Sequence, residues 1–183
     1  MDKIKITNDM KNLLSSIKGE TFLNYECEME DKWNRTYGYL RINTDLKSLD
    51  ISNQQKSMSL FGENEDVAII EIFGNKNKSM KESFNLIDTF SPKKVEINEV
   101  IKDVFIISEI VELNDEKIEM DMGIIIQTDN HKYYFTKENW FDEFIYVNVD
   151  KDLDIIYPIG KDKDEWLSDE NDDIKISRFI DEI

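Results

Sequence analysis

Asp150, Asp152 and Asp154 are spaced like positions one, three and five of a calcium-binding loop. Hard cations take oxygen ligands, so alternating aspartates on a tight turn are what such a site needs. Position six, where the sharp turn requires glycine, is Ile155, and position twelve, where a bidentate glutamate belongs, is Lys161. The same residues also fit plain strand alternation. Tyr146, Asn148, Asp150, Asp152 and Asp154 then share one face, with Val147, Val149 and Leu153 opposite. A metal site is therefore not expected here.

A carboxylate two residues before a lysine is the Mg²⁺-holding signature of restriction-type nucleases. It occurs five times, at Asp9/Lys11, Glu30/Lys32, Asp45/Lys47, Asp115/Lys117 and Asp173/Lys175. With 40 acidic residues in 183 positions, chance alone supplies about four such triplets. A chain this acidic would also repel a nucleic acid. Nucleophilic chemistry is no better served. Cys27, the only cysteine, lies on the inward face of an expected strand, where a thiol is a small inert hydrophobe. His131, the only histidine, sits beside an expected turn, and no Gly-x-Ser-x-Gly elbow or phosphate-cradling glycine loop occurs. No cofactor is implied, and a non-enzymatic protein is expected.

The elements that must position these residues follow from periodicity. Met10, Leu13, Leu14 and Ile17 mark one face of a helix, with Thr7 or Asn8 as its cap and Gly19 at its end. Leu23, Tyr25, Cys27 and Met29 then alternate with polar residues. Across the turn Asp31–Arg35, a partner strand over Thr36–Asn43 carries Tyr37, Tyr39, Leu40 and Ile42, forming a half-buried hairpin. Val67–Phe73 reads as a buried strand. The segment Phe84–Phe90, stopped by Pro92, is ambiguous. Val104–Leu113 reads as a strand ending at a turn, Asn114-Asp115. Met120–Thr128 and Lys132–Thr136 form a hairpin closed by Asp129-Asn130. Phe144–Val149 and Ile155–Ile159 are two further strands. Ile176, Phe179, Ile180 and Ile183 have helical spacing, with Asp172 or Asp173 as cap. The expected fold is α+β: a mostly antiparallel β-sheet with an N-terminal and a C-terminal helix, in a single acidic domain over 1–183.

Composition sets the class of partner. Forty acids against 23 bases give a net charge of −17 in a 21.7 kDa chain that is 40% hydrophobic. That charge argues against nucleic-acid binding, which needs a basic patch. No apolar run has the length of a signal peptide or a membrane span, and one cysteine calls for no oxidising compartment, so a cytoplasmic location is expected. The charge is also uneven. Residues 139–183 hold 14 acids and 5 bases, about half the net charge in a quarter of the chain. Asp162, Asp164, Glu165, Asp169, Glu170, Asp172 and Asp173 crowd around Trp166, while Asp142 and Glu143 flank Trp140, Phe141 and Phe144. Acids around aromatic anchors describe a docking face for a basic protein, in which charge steers encounter and a buried ring supplies affinity. The expected contact set is Trp140, Asp142, Glu143, Asp150, Asp152, Asp154 and the Asp162–Asp173 cluster with Trp166. The Tyr-rich hairpin around Tyr37 is the other candidate face.

The segment Glu138–Tyr146, followed by Ile156-Tyr157-Pro158-Ile159, in a small acidic chain rich in Asn, Asp, Ile and Lys, resembles bacterial immunity proteins of polymorphic and contact-dependent toxin systems. The resemblance is one of style over the whole chain and transfers no site residues. It implies a protein that binds a cognate toxin domain and covers its active site or an adjacent surface. Many such toxins are basic nucleases. The rival readings are an acidic nucleic-acid mimic that blocks a DNA-binding or DNA-cutting enzyme, a carboxylate- or metal-dependent enzyme, and an accessory protein whose charge serves solubility.

Overall fold

The computed structural model describes residues 2–30, 33–75, 78–86, 90–113, 116–159 and 174–183. Mostly antiparallel strands account for the bulk of it, with three short helices. The chain opens with β1 (Asp2–Ile4), which pairs in parallel with a later strand, and α1 (Asn8–Ser15). Thr7 caps α1, its hydroxyl accepting the Met10 N–H at 3.3 Å, as its sequence position predicts. Leu14 and Ile17 are buried, and Gly19, at φ +82°, turns the chain so that its N–H reaches Ile101 O at 2.9 Å.

The predicted first hairpin is present, as β2 (Thr21–Cys27) with β3 (Met29–Glu30) against β4 (Arg35–Tyr37) with β5 (Tyr39–Thr44). A register shift between Phe22 and Asn24 corrects the expected inward face. The extra residue puts Phe22 into the core in place of Leu23, while Tyr25 and Cys27 stay inward. β6 (Ser48–Leu60) and β7 (Glu63–Asn75) form a long hairpin of which sequence periodicity shows only Val67–Phe73. Phe61 and Gly62 close it with φ of 49° and 85°, the paired positive angles of a tight hairpin turn. After α2 (Met80–Phe84) come β8 (Lys93–Leu113), β9 (Glu116–Thr128), β10 (Lys132–Lys137) and β11 (Phe144–Val149).

These strands close on themselves. β2 pairs with β8, β8 with β9, β9 with β10, β10 with β11, and β11 with β4. β4 continues through Gly38 into β5, which pairs back onto β2. The enclosed core includes Leu40, Ile106, Ile124 and Val147, and edge-to-face ring pairs cross it, Phe22 with Tyr133 at 5.3 Å and Tyr25 with Phe135 at 5.8 Å. Burial pushes the Cys27 thiol up to about 12, so this cysteine is the inert core residue that its strand position predicts.

Two predicted elements near the C-terminus are corrected. Ile155–Ile159 is not a strand: Asp152 caps a one-turn helix, α3 (Leu153–Ile156). The expected C-terminal helix is a strand, β12 (Ile174–Glu182), antiparallel to Phe105–Leu113 of β8. Its helical spacing of apolar residues competes with a period-two set, Ile174, Ile176 and Arg178, which the open edge of β8 selects. The proposed caps Asp172 and Asp173 lie outside the described residues. β12 and α3 help build a second core on the outer face of the sheet, with Val67, Val111, Trp140, Leu153 and Tyr157. Buried within it, Arg178 donates to Glu109 Oε1 at 2.7 Å, and the Trp140 indole N–H donates to Glu109 Oε2 at 3.1 Å.

Gly38 is the joint of the closed circuit. Its φ is +66°, and a Cβ there would stand 2.4 Å from Gln54 Nε2 and 3.1 Å from Asn53 O. Gly38→Ala is expected to destabilise the protein by about 1–3 kcal/mol, through left-handed strain and that crowding. Urea unfolding checks this, and an unchanged midpoint would contradict the joint.

Candidate functional site

Thr36 points inward, fully buried, so its neighbours Arg35 and Tyr37 on β4 point out. On β11, Ile145 and Val147 join the inner core, so Phe144 and Tyr146 point out. The register sets Phe144 opposite Tyr37 and Tyr146 opposite Arg35. The result is an aromatic ladder on the outer surface. The Tyr37 and Phe144 rings meet edge-to-face at 5.3 Å, and the Arg35 guanidinium lies 3.9 Å from the Phe144 centroid. Trp33, in the turn that leads into β4, is 53% exposed, and Tyr37 is 56% exposed.

Carboxylates fix and fringe this ladder. Glu138 accepts from Arg35 at 2.9 Å and from the Tyr146 hydroxyl at 2.8 Å. Glu143 accepts from the Tyr37 hydroxyl, a bond that raises the phenol's pKa above its usual value. Its Oε1 also takes the Gln55 N–H at 2.9 Å, which ties β6 to the start of β11. Asp142 is exposed and bonded to Asn139, whose side-chain oxygen in turn accepts the Phe141 and Asp142 N–H groups. Glu138 therefore holds the guanidinium and the Tyr146 ring, and Glu143 holds Tyr37, before anything binds. A second aromatic group follows along the chain, with Tyr39 against Phe84 at 4.6 Å and Phe84 against Phe73 at 5.6 Å. The arrangement places rings, hydroxyls and negative charge together on one outer surface. Among the described residues no group of three or more His, Cys, Asp or Glu could hold a metal ion.

The residues expected from sequence fall in different places. Asp142 and Glu143 belong to the ladder's rim. Trp140 does not, being 1% exposed and bonded to Glu109, so it is a core residue and cannot serve as an exposed anchor. Asp150, Asp152 and Asp154 sit at the other end of β11, whose six residues span about 20 Å. Nor do they share one strand face, because Asp150, at φ +53°, ends the alternation. They border an open groove of about 680 Å³ with Lys132, Lys151 and Arg178, so its three acids face three bases. Asp162, Asp164, Glu165, Trp166, Asp169, Glu170, Asp172 and Asp173 lie outside the described residues. Charge and motif in the sequence do not single out Trp33, Arg35 or Tyr146 as site residues. The signal for Arg35 and Tyr146 was the alternation of outward Arg35 and Tyr37 with Thr36, and of Phe144 and Tyr146 with Ile145 and Val147.

No protein-family model, no curated protein and no solved structure matches this chain. No described helix is long and apolar enough to cross a membrane.

Asp150 owes its place to His131. One carboxylate oxygen meets His131 Nδ1, and the other accepts the Lys132 N–H at 2.7 Å. On the far side of the ring, His131 Nε2 is 3.5 Å from Glu99 Oε1. The bond to Asp150, with the Glu99 charge, outweighs partial desolvation and raises the His131 pKa above 6.5. The His131 bond, with that from Lys132 N–H, lowers the Asp150 pKa below 3.8. The histidine's contribution is complete below 6.5 and fades as pH rises through its folded pKa. The aspartate's is complete above 3.8 and fades as pH falls through its own. The pair therefore stabilises most between these two values. An NMR titration of the single histidine should give a midpoint above 6.5 that falls toward 6.5 in Asp150→Asn, and a wild-type midpoint at or below 6.5 would contradict the clamp.

Proposed function

We propose that this protein is a non-enzymatic, cytoplasmic immunity protein that neutralises a basic toxin domain by binding it through the ladder of Arg35, Tyr37, Phe144 and Tyr146, with Trp33 beside it. The observation that carries the reading is the exposure of Tyr37, more than half of it, against a ring and a guanidinium already locked in position, with Trp33, also more than half exposed, two residues before Arg35 in the chain. Exposed rings cost little rotamer entropy to immobilise when they are packed beforehand, and Trp, Tyr and Arg are the residue types that dominate binding energy in interfaces. Asp142, Glu143 and Glu138 supply a negative rim, and the net charge of −17 extends the attraction over the whole molecule. A basic partner is drawn in by the field and held by the rings.

The test is capture from the source cell's lysate at low and high salt, followed by calorimetry with the captured protein. One basic protein is expected, bound stoichiometrically and toxic when produced alone. Trp33→Ala with Tyr37→Ala is expected to weaken its binding by about 2–4 kcal/mol. Asp142→Lys should slow association at low salt and have little effect at high salt. Undiminished binding by the double alanine variant would overturn the assignment of this face. Capture of many basic proteins, all lost together at high salt, would instead favour a nucleic-acid mimic.

A further inference from the structure

β12 presents an edge. One side pairs with Phe105–Leu113 of β8, and among the described residues no strand lies along the other. Sheet edges are normally blunted by brevity, proline, a bulge or charged side chains, and of these β12 has only charge, at Lys175, Arg178, Asp181 and Glu182. β12 has nine residues, no proline and an unbroken register with β8, and it exposes Phe179 (46%) and Ile180 (50%). The Ile183 N–H donates to Val104 O at 3.1 Å, so the odd-numbered N–H groups of the strand face β8. Those of Ile176, Arg178 and Ile180 therefore face outward.

The strand is also self-complementary about Arg178. In an antiparallel pairing centred there, Lys175 stands opposite Asp181, Ile176 opposite Ile180, and Ser177 opposite Phe179. The two central arginines would repel if their guanidinium groups met. In this fold each is buried instead against Glu109, with a further bond to Tyr157 O at 2.5 Å. We propose that β12 pairs with β12 of a second copy across a twofold axis, continuing the sheet from one molecule into the next with Lys175–Asp181 ion pairs on either side of the axis. The pairing uses a different surface from the ladder on β4 and β11 and does not depend on it.

Two copies each carrying −17 repel, so this association must strengthen as salt is added. Binding of a basic protein weakens under the same change, which separates the two surfaces. Sedimentation equilibrium over a range of concentration and salt is expected to show the 21.7 kDa species giving way to one of twice that mass as both rise. Ile180→Pro removes an outward N–H and none of the β8 ladder, and it should abolish the dimer. Asp181→Lys should weaken the dimer several-fold, and adding Lys175→Asp to it should restore the association. The swap keeps the proposal testable even if the proline variant fails to fold. A monomer under every condition, or a dimer indifferent to the charge swap, would overturn it.

Discussion

Gly38 lets one continuous strand serve two neighbours. On its N-terminal side, β4 borders β11, and on its C-terminal side, β5 borders β6. That change of partner needs a turn of the backbone that a side chain would strain, and Gly38 supplies it at φ +66°, with Asn53 O close enough to crowd a Cβ. The circuit of pairing, the enclosed core and the outward display of Arg35 and Tyr37 beside Phe144 all depend on it. A straight strand would keep its pairing with β6, and the ladder would not form.

The acidic residues divide into two populations. Some are structural. Glu109 receives Arg178 and Trp140, Asp50 receives Arg41 at 2.6 Å, and Asp121 receives Lys5 at 2.6 Å. These are buried or nearly so, and the cost of removing their charge from water is offset only because each has a cation and further donors. The others are exposed and give the molecule its field. Asp150 and Asp152 combine the two roles, since one holds His131 and the Lys132 N–H and the other caps α3. Counting acids along the chain therefore overstates the charge that a partner would meet at the end of β11, where Lys132, Lys151 and Arg178 answer it.

What sequence shows best is local. The Thr7 cap, the hairpin between β9 and β10, and the span of β11 are all set by side chains within a few residues of one another, and all are legible. What it hides is decided by distant partners. β12 is a strand because β8 outlasts β2 and leaves an edge that takes Ile174–Glu182, 60 to 80 residues downstream. The inward turn of Phe22 depends on a bulge matched to both β5 and β8. β6 escapes notice because Ser52, Asn53, Gln54 and Gln55 look like a loop, yet Asn53 is fully buried and its amide ties to Asp142 O and Phe144 O across the joint. The candidate face was half legible. Charge and aromatic company single out Asp142 and Glu143, and tyrosine content the hairpin around Tyr37, but the tryptophan between Asn139 and Phe141 belongs to the core, and Trp33 and Tyr37, each more than half exposed, meet Phe144 only through the pairing of β4 with β11.

The most direct test of the docking face is hydroxyl-radical footprinting of the complex with its captured partner. Strong protection of Trp33, Tyr37 and Phe144 is expected on binding, with Ile155 and Phe179 as reactive as in the free protein. Protection centred on Ile155 and Ile159 at the far end of β11, with Trp33 and Tyr37 unchanged, would contradict it and move the docking face to the groove.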